Sequence, residues 1–164
     1  MVPLLIEPGG AEMAKPSKRF ETAASEHKEP DAAGKITRDD GFIQVETAVV
    51  PALIRAGETA PVHLILRPNS KIKAHWNNEV EPLRLWVNLP EGWAADKQYL
   101  TAPNPPQPVN AETREVQLEI RSPEKISPGS FTIPGYALYY VCEDVDGACL
   151  YRRQDINVVV KIKK

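Results

Sequence analysis

Two cysteines near the C-terminal end are the residues whose type and spacing offer chemistry. Cys142 and Cys149 are the 2 cysteines of the chain, and the six residues between them include Glu143, Asp144 and the dipeptide Asp146-Gly147. Because Asp-Gly favours tight turns with positive φ, we expect a hairpin here that sets the two cysteines opposite each other. Facing residues of an antiparallel pair have Cα atoms about 4.5–5.5 Å apart, which suits a disulfide.

The cysteine types and spacing leave four interpretations open: a passive structural bridge, a redox-active pair, free buried thiols, or metal ligands. Closing so short a loop contributes roughly 2–2.5 kcal/mol in the chain-entropy model, which is near the low end for a structural bridge. A bridge at a turn is also accessible to a partner thiolate, as exchange requires. The carboxylates of Glu143, Asp144 and Asp146 raise the pKa of a nearby thiol, which favours a pair reduced by a dedicated partner over a self-activated nucleophile.

Metal binding and hydrolytic catalysis have weaker support. Zinc knuckles separate their ligands by about two to four residues, fewer than the six between Cys142 and Cys149. His27, His63 and His75 lack a paired ligand spacing, and no nucleophile elbow, Walker loop or HExxH motif occurs in the chain. We therefore predict no metal and no organic cofactor.

The elements that must position the cysteine pair are predicted to be β-strands. Five runs show a period of two and are bounded by Pro, Gly, Asn or Asp. These runs are Val62–Leu66, Leu83–Val87, Glu115–Arg121, Tyr136–Cys142 and Ile156–Ile162. With Phe42–Val50 and Ile72–Trp76, they predict an all-β, antiparallel immunoglobulin-like sandwich of seven to eight strands over residues 41–164. The segment Thr101–Val109 holds four prolines and is predicted to be an extended loop.

Residues 1–40 differ in composition from the rest. Phe20 is their one aromatic residue, and their apolar positions show no sustained period. The segment is predicted to be a disordered or loosely docked lead-in or linker, because it cannot bury enough apolar surface to offset its ordering entropy. A weak helix over Ala11–Ala24 is the alternative.

Charge and hydropathy give no support for nucleic acid or a membrane as the partner of this chain. A formal net charge of -2 and a pI near 6.0 give no overall attraction to nucleic acid or anionic lipid. No run approaches the roughly 20 apolar residues that cross a bilayer, and the first residues lack the basic region of a signal peptide. Either a cytosolic protein or a domain of a longer exported precursor fits these observations.

Two stretches of the sequence resemble a known family. The first is Lys71–Glu79 (KIKAHWNNE) with Pro82–Val87 (PLRLWV) and Pro90–Trp93 (PEGW), and the second is Tyr139–Cys149 (YYVCEDVDGAC). Together they resemble the N-terminal domain of the thiol:disulfide interchange protein DsbD and related domains of bacterial thioredoxin-like proteins, over roughly residues 42 to 163. The resemblance implies an immunoglobulin-like fold exposed to the periplasm. It also implies a cysteine pair that takes electrons from a thioredoxin-like protein and passes them to oxidised periplasmic protein substrates.

The resemblance assigns roles to individual residues. Cys142 and Cys149 match the exchanging pair. By position, Cys142 is expected to be the more buried member, and Cys149, nearer the turn exit, is expected to form the mixed disulfide. From their places in the sequence, and not from the resemblance, four further residues are candidate supports of the site: Tyr140, Glu143, Asp144 and His75. Tyr99–Asn104 is the candidate for a cap loop over the pair. Each of the four supporting residues also has a purely structural alternative. In that alternative Tyr140 fills volume, and Glu143 and Asp144 solvate a turn. His75 then belongs to a segment in which Trp76 packs in the core and Asn77-Asn78 form a turn.

The sequence thus predicts a thiol-disulfide exchange module and a possible thiol:disulfide oxidoreductase domain. The rival interpretation, from another class, is a non-catalytic β-sandwich that binds a protein or glycan and carries a static disulfide.

Overall fold

The computed structural model describes residues 19–24, 27–144 and 147–164 of the chain. Within these residues it contains eleven β-strands and no α-helix. The strands are β1 (Ile43–Val49), β2 (Leu53–Ile54), β3 (Thr59–Pro68), β4 (His75–Asn77), β5 (Leu83–Val87), β6 (Ala94–Ala95), β7 (Tyr99–Ala102), β8 (Val109–Asn110), β9 (Arg114–Arg121), β10 (Gly129–Cys142) and β11 (Cys149–Ile162). No helix in this part of the chain is long and apolar enough to span a bilayer.

The strands form two sheets, which confirms the predicted all-β sandwich. One sheet has the order β1-β3-β9-β6, and the other has β2-β11-β10-β4-β8, with β5 paired to β10 and β7 to β5. The pairs are antiparallel except for the short parallel pair of β2 with β11. The strand count exceeds the predicted seven to eight because β2, β6 and β8 have only two residues each, too few to show an alternating pattern.

The core lies between the two sheets. On β3 every second residue is buried, from Ala60 to Leu66, as the period-two pattern of a half-buried strand requires. These side chains pack with Ile133 and Tyr139 of the other sheet in one apolar cluster. Trp76 is 1% exposed, which confirms that it packs in the core.

The β10–β11 hairpin is the longest feature of the fold and carries the cysteines at its closed end. The two 14-residue strands pair without interruption from Gly129 opposite Ile162 to Cys142 opposite Cys149. β10 also lies directly against β5, and a Cβ on Gly135 would come 2.6 Å from the Trp86 carbonyl oxygen. Only glycine permits this approach of the two backbones.

The outer face of the second sheet is covered by the segment before β1. Trp86, Tyr136 and Leu138 form a second buried cluster on this face, and Ile36 packs against it. Asp31 is buried, accepts a hydrogen bond from Arg153 Nη1 at 2.9 Å, and accepts two more from the backbone N–H groups of Lys35 and Ile36.

The sequence placed residues 1–40 outside the domain, whereas residues 27–40 contact the sheet. Arg38 forms a parallel β-bridge with Arg153, and Asp39 accepts hydrogen bonds from the backbone N–H groups of Phe42 and Ile43. Most of the predicted helix over Ala11–Ala24 lies outside the described residues; Arg19–Ala24 contain an isolated bridge from Glu21 to Ala95.

Two predicted segments have different bounds in the structure. Ile72–Trp76 is not one strand, because the Asn69 side chain accepts a hydrogen bond from Lys71 N and starts a 3₁₀ turn at Ser70–Ile72. Strand β4 begins only at His75 and includes Asn77. The loop predicted over Thr101–Val109 is shorter at both ends, since β7 extends to Ala102 and β8 begins at Val109.

Candidate functional site: a disulfide at the edge of a sheet

Cys142 and Cys149 form a disulfide across the closed end of the β10–β11 hairpin. Their Cα atoms are 3.9 Å apart. The Glu143 N–H donates to the Ala148 carbonyl at 3.3 Å, so the cysteines occupy a non-hydrogen-bonded position, where facing side chains lie closest. The predicted hairpin pairing of the two cysteines is therefore confirmed.

The two cysteines differ sharply in exposure. Cys142 is 1% exposed, whereas Cys149 is exposed. The difference follows from the sheet order, because β10 has β11 on one side and β4 on the other, while Cys149 starts a strand that no described strand flanks at that point. Cys142 is the more buried member, as the sequence predicted.

His75 extends the row of side chains to the other side of Cys142. In the register of β4 with β10, His75 lies directly opposite Cys142, and directly opposed residues project from the same face of a sheet. His75, Cys142 and Cys149 thus form a row across three strands. The Nδ1 atom of His75 lies 3.1 Å from the Lys73 carbonyl oxygen, and because a carbonyl only accepts, Nδ1 is the protonated nitrogen in this contact.

Two tyrosines form the next row on the same face. Tyr140 and Tyr151 lie opposite each other, two residues from the respective cysteines, and their rings stack with centroids 4.4 Å apart. The Arg84 guanidinium donates to the Tyr151 hydroxyl. Burial raises the pKa of Tyr151, against the opposing charge of Arg84. Tyr140, predicted as a supporting residue, is therefore one row from the disulfide. The same period-two count from Cys149 identifies Tyr151, whereas nothing in the sequence pointed to Arg84.

Glu143 and Asp144 lie at the exposed turn beyond the disulfide. With Ile72 and Gly147 they line an open recess of about 450 Å³. Asp144 has a left-handed backbone with φ 54, and its N–H donates to the Lys73 carbonyl at 3.1 Å. The same carbonyl contacts His75, so the turn and β4 share an anchor.

The candidate cap segment Tyr99–Asn104 is not part of this group. Strand β7 pairs Tyr99 with Trp86, and the Tyr99 ring lies 6.2 Å from that of His27. Asn104 donates to the Val80 carbonyl. No contact between this segment and either cysteine is found among the described residues, so the segment does not cap the disulfide here. A metal site is likewise not seen in this part of the chain, where no three His, Cys, Asp or Glu side chains are grouped to hold one.

Comparison with known proteins gives weak similarities. No protein-family model matches the chain, and no curated protein matches it. Among solved structures it is similar to the sporulation control protein Spo0M from Bacillus subtilis, with a TM-score of 0.36 and 10% identity over 76% of this chain and 51% of that one. This chain therefore spans about half the length of Spo0M.

Two other solved structures show similarity of the same order. AvmM, which catalyses macrocyclization in alchivemycin A biosynthesis, gives a TM-score of 0.35 and 13% identity over 76% of this chain and 90% of that one. The bacterial hydrophobin BslA gives a TM-score of 0.30 and 14% identity over 72% of this chain and 94% of that one. Similarity at this level says nothing about the function of this chain.

Proposed function

We propose that this domain exchanges electrons with partner proteins through the Cys142–Cys149 disulfide, outside the cytoplasm. In this proposal a thioredoxin-like protein or domain reduces the bridge, and the reduced pair then reduces oxidised periplasmic proteins. One observation carries the proposal: the bridge joins a buried cysteine to an exposed cysteine at the end of a hairpin. Thiol–disulfide exchange requires that an attacking thiolate reach one sulfur.

Cys149 is the sulfur that we expect a partner to attack. Displacement at a disulfide proceeds in line, so the attacking sulfur approaches opposite the leaving sulfur. An attack on Cys142 would have to arrive from the side of β4, where His75 stands in the row. An attack on Cys149 arrives from the side where no described strand lies.

The relay then has two half-reactions, reduction of the bridge by the donor and its reoxidation by a substrate, and each takes two thiol–disulfide exchanges. A donor thiolate bonds to the Cys149 sulfur, the bridge breaks, and Cys142 leaves as a thiolate that takes up a proton. The second thiol of the donor displaces Cys149, so that the donor becomes a disulfide and the domain holds two thiols. In the second half, the Cys149 thiolate attacks an oxidised substrate, and Cys142 resolves the mixed disulfide and restores the bridge.

The surroundings of the pair support this division of labour. Once the bridge has opened, the exposed Cys149 is the sulfur that an oxidised substrate can reach, and the buried Cys142 stays beside it to resolve the mixed disulfide. The stacked tyrosines form the next row on one side of the pair, whereas an open, polar recess lies on the turn side.

The reduction potential of the pair tests the proposal. We expect a value between the cytosolic and oxidising-compartment poises, roughly −270 to −180 mV, measured by equilibration with glutathione or thioredoxin. A value below about −300 mV would mark a static structural bridge and would favour the alternative function, a non-catalytic β-sandwich that binds a protein or glycan.

Trapping with single-cysteine variants tests the assigned order. The variant Cys142→Ser keeps the exposed thiol, and we expect it to form a mixed disulfide with an oxidised thioredoxin-like protein. Cys149→Ser is the matched control, because it keeps the buried thiol in the same hairpin and is expected to react far more slowly. Equal yields from the two variants would contradict the assignment of Cys149 as the attacking residue.

A further inference from the structure

In the described part of the chain, strand β11 has an unpaired edge beside the exposed cysteine. Its Arg153 N–H donates to the Thr37 carbonyl, and its Arg153 carbonyl accepts from the Asp39 N–H, so these groups of Arg153 point away from β10. Backbone groups alternate sides along a strand, and therefore those of Cys149 and Tyr151 point the same way as those of Arg153. Among the residues described, none bonds to the backbone N–H of Cys149 or Tyr151, or to the Cys149 carbonyl, on that side.

One group on this edge is already occupied. The Arg152 guanidinium donates to the Tyr151 carbonyl at 2.9 Å. The free part of the edge therefore offers a donor and an acceptor at Cys149 and a donor at Tyr151. Beyond it the segment Thr37–Asp39 occupies the edge at Arg153, so the opening is confined to the residues next to the disulfide.

The path of an attacking sulfur crosses this same edge. The Cys142–Cys149 bond joins β10 to β11, so its extension beyond the Cys149 sulfur runs outward over the unpaired edge. The Cα atoms of disulfide-bonded cysteines are about 4.4–6.8 Å apart, and neighbouring strands are about 4.7–4.9 Å apart. A partner cysteine bonded to Cys149 therefore has its backbone where the next strand of the sheet would lie.

We propose that the redox partner docks by adding a short extended segment, with its reactive cysteine, to the Cys149–Tyr151 edge of β11. This inference rests on the proposed function and specifies how the partner is recognised. Strand addition draws affinity from main-chain hydrogen bonds, so the edge accepts segments of differing sequence provided that they are extended. It suits a relay that must serve both a donor and several oxidised substrates.

Amide hydrogen exchange in a defined adduct tests the docking mode. The Cys142→Ala protein is joined at Cys149 to a blocked pentapeptide, Val-Thr-Cys-Thr-Val, supplied as its mixed disulfide with 2-nitro-5-thiobenzoate, which leaves as the free thiolate. The matched control is the cysteamine adduct, which has the same bond and no peptide backbone. By NMR we expect the Cys149 and Tyr151 amides to exchange about tenfold more slowly in the peptide adduct, while the Leu150 and Arg152 amides, which face β10, do not change.

Equal exchange of these amides in the two adducts would overturn the proposal.

A second measurement needs no variant. The reduced peptide attacks the native bridge, and the rate of this attack is compared with the rates for two peptides that are N-methylated at adjacent residues. Because alternate N–H groups face the edge, one methylation should slow the attack about fivefold, by the loss of one hydrogen bond, and the other should not. Equal rates would contradict strand addition. The activated peptide reacts with any accessible thiol, so the adduct can be made whether or not the pair is a relay. A reduction potential below about −300 mV together with slower amide exchange would contradict the relay function and not the docking mode. A potential in the relay range without slower exchange would contradict the docking mode and not the function.

Discussion

Reduction of the disulfide is expected to weaken the fold modestly and to leave it intact. Cys142 and Cys149 are separated by 7 positions in sequence, and for a loop of this size the chain-entropy model gives a loss of about 2.5 kcal/mol in the free energy of unfolding. The hairpin does not depend on the bridge for its register. Its strands pair continuously from Gly129–Ile162 to the cysteines, and its inner face lies in the main core.

The same magnitude sets the effect of folding on the reduction potential. A bridge that stabilises the fold by about 2.5 kcal/mol is itself stabilised by the fold to the same extent. Since about 1.4 kcal/mol corresponds to 30 mV for this two-electron couple, folding lowers the potential of the pair by about 50 mV. A bridge closing a loop of about 100 residues would lower it by about 100 mV, from a stabilisation near 4.7 kcal/mol. The short loop therefore keeps the pair reducible.

Urea titrations with and without a phosphine reductant measure this loss. We expect unchanged far-UV circular dichroism in the reduced protein and a fall in the melting temperature of about 5–10 °C. The Cys142→Ser/Cys149→Ser double variant is the control, because the reductant should not alter its unfolding. A loss above about 4 kcal/mol, or unfolding on reduction, would refute the reasoning, since a relay domain must stay folded in both redox states.

Three substitutions test the parts of the fold that support this hairpin. Asp31→Asn removes the partner of a largely buried Arg153 and should cost about 3 kcal/mol in the free energy of unfolding. Although burial raises the pKa of the Asp31 carboxyl, hydrogen bonds from Arg153 and two backbone N–H groups lower it overall below 3.8. Its stabilisation is therefore full above pH 3.8 and lost as the pH falls below that value, so acid titration of stability should be flatter in Asp31→Asn. Ile36→Asp places a charge against the cluster around Trp86 and should increase dye binding to exposed apolar surface. Unchanged dye binding would mean that the attachment of residues 27–40 does not cover this surface. Gly135→Ala forces a Cβ to 2.6 Å from the Trp86 carbonyl oxygen and should destabilise by about 1–3 kcal/mol, measured by the urea midpoint; wild-type stability would show that β5 and β10 can separate freely.

Local pattern was sufficient to predict the hairpin that sets the two cysteines opposite each other. Period-two alternation fixed the faces of Tyr136–Cys142 and Ile156–Ile162, and an Asp-Gly dipeptide between them predicted that the strands turn back on each other. Facing of Cys142 and Cys149 then followed from strand geometry alone. The greater burial of Cys142 was predicted from its position in the chain. Its physical cause is the neighbouring strand β4, whose register with β10 no local pattern specifies.

The attachment of residues 27–40 could not be predicted, because its contacts are distant in sequence. Asp31 and Arg153 are 122 residues apart, and Ile36 is a single apolar residue among polar neighbours. Low apolar content and absence of a period indicate a linker when judged locally. Here the ion pairs of Asp31 with Arg153 and of Arg38 with Asp155, the bridge at Arg38 and the apolar contact of Ile36 attach the segment to the sheet.

The position of the disulfide within one sheet explains both why it contributes little to stability and why one of its sulfurs is accessible. A disulfide between the two sheets would close a long loop and bury both sulfurs in the core, whereas one between neighbouring strands of a continuous hairpin constrains little that the backbone ladder does not already fix. Because β11 is unpaired beside Cys149 in the part of the chain that the structure describes, the outer sulfur faces an opening that also offers backbone hydrogen bonds. Unpaired edges attract other chains and are usually blocked by charge or by covering segments; here Thr37–Asp39 and Arg152 restrict the edge to the residues around the cysteine. Access for a partner and protection from indiscriminate pairing therefore arise from the same few residues.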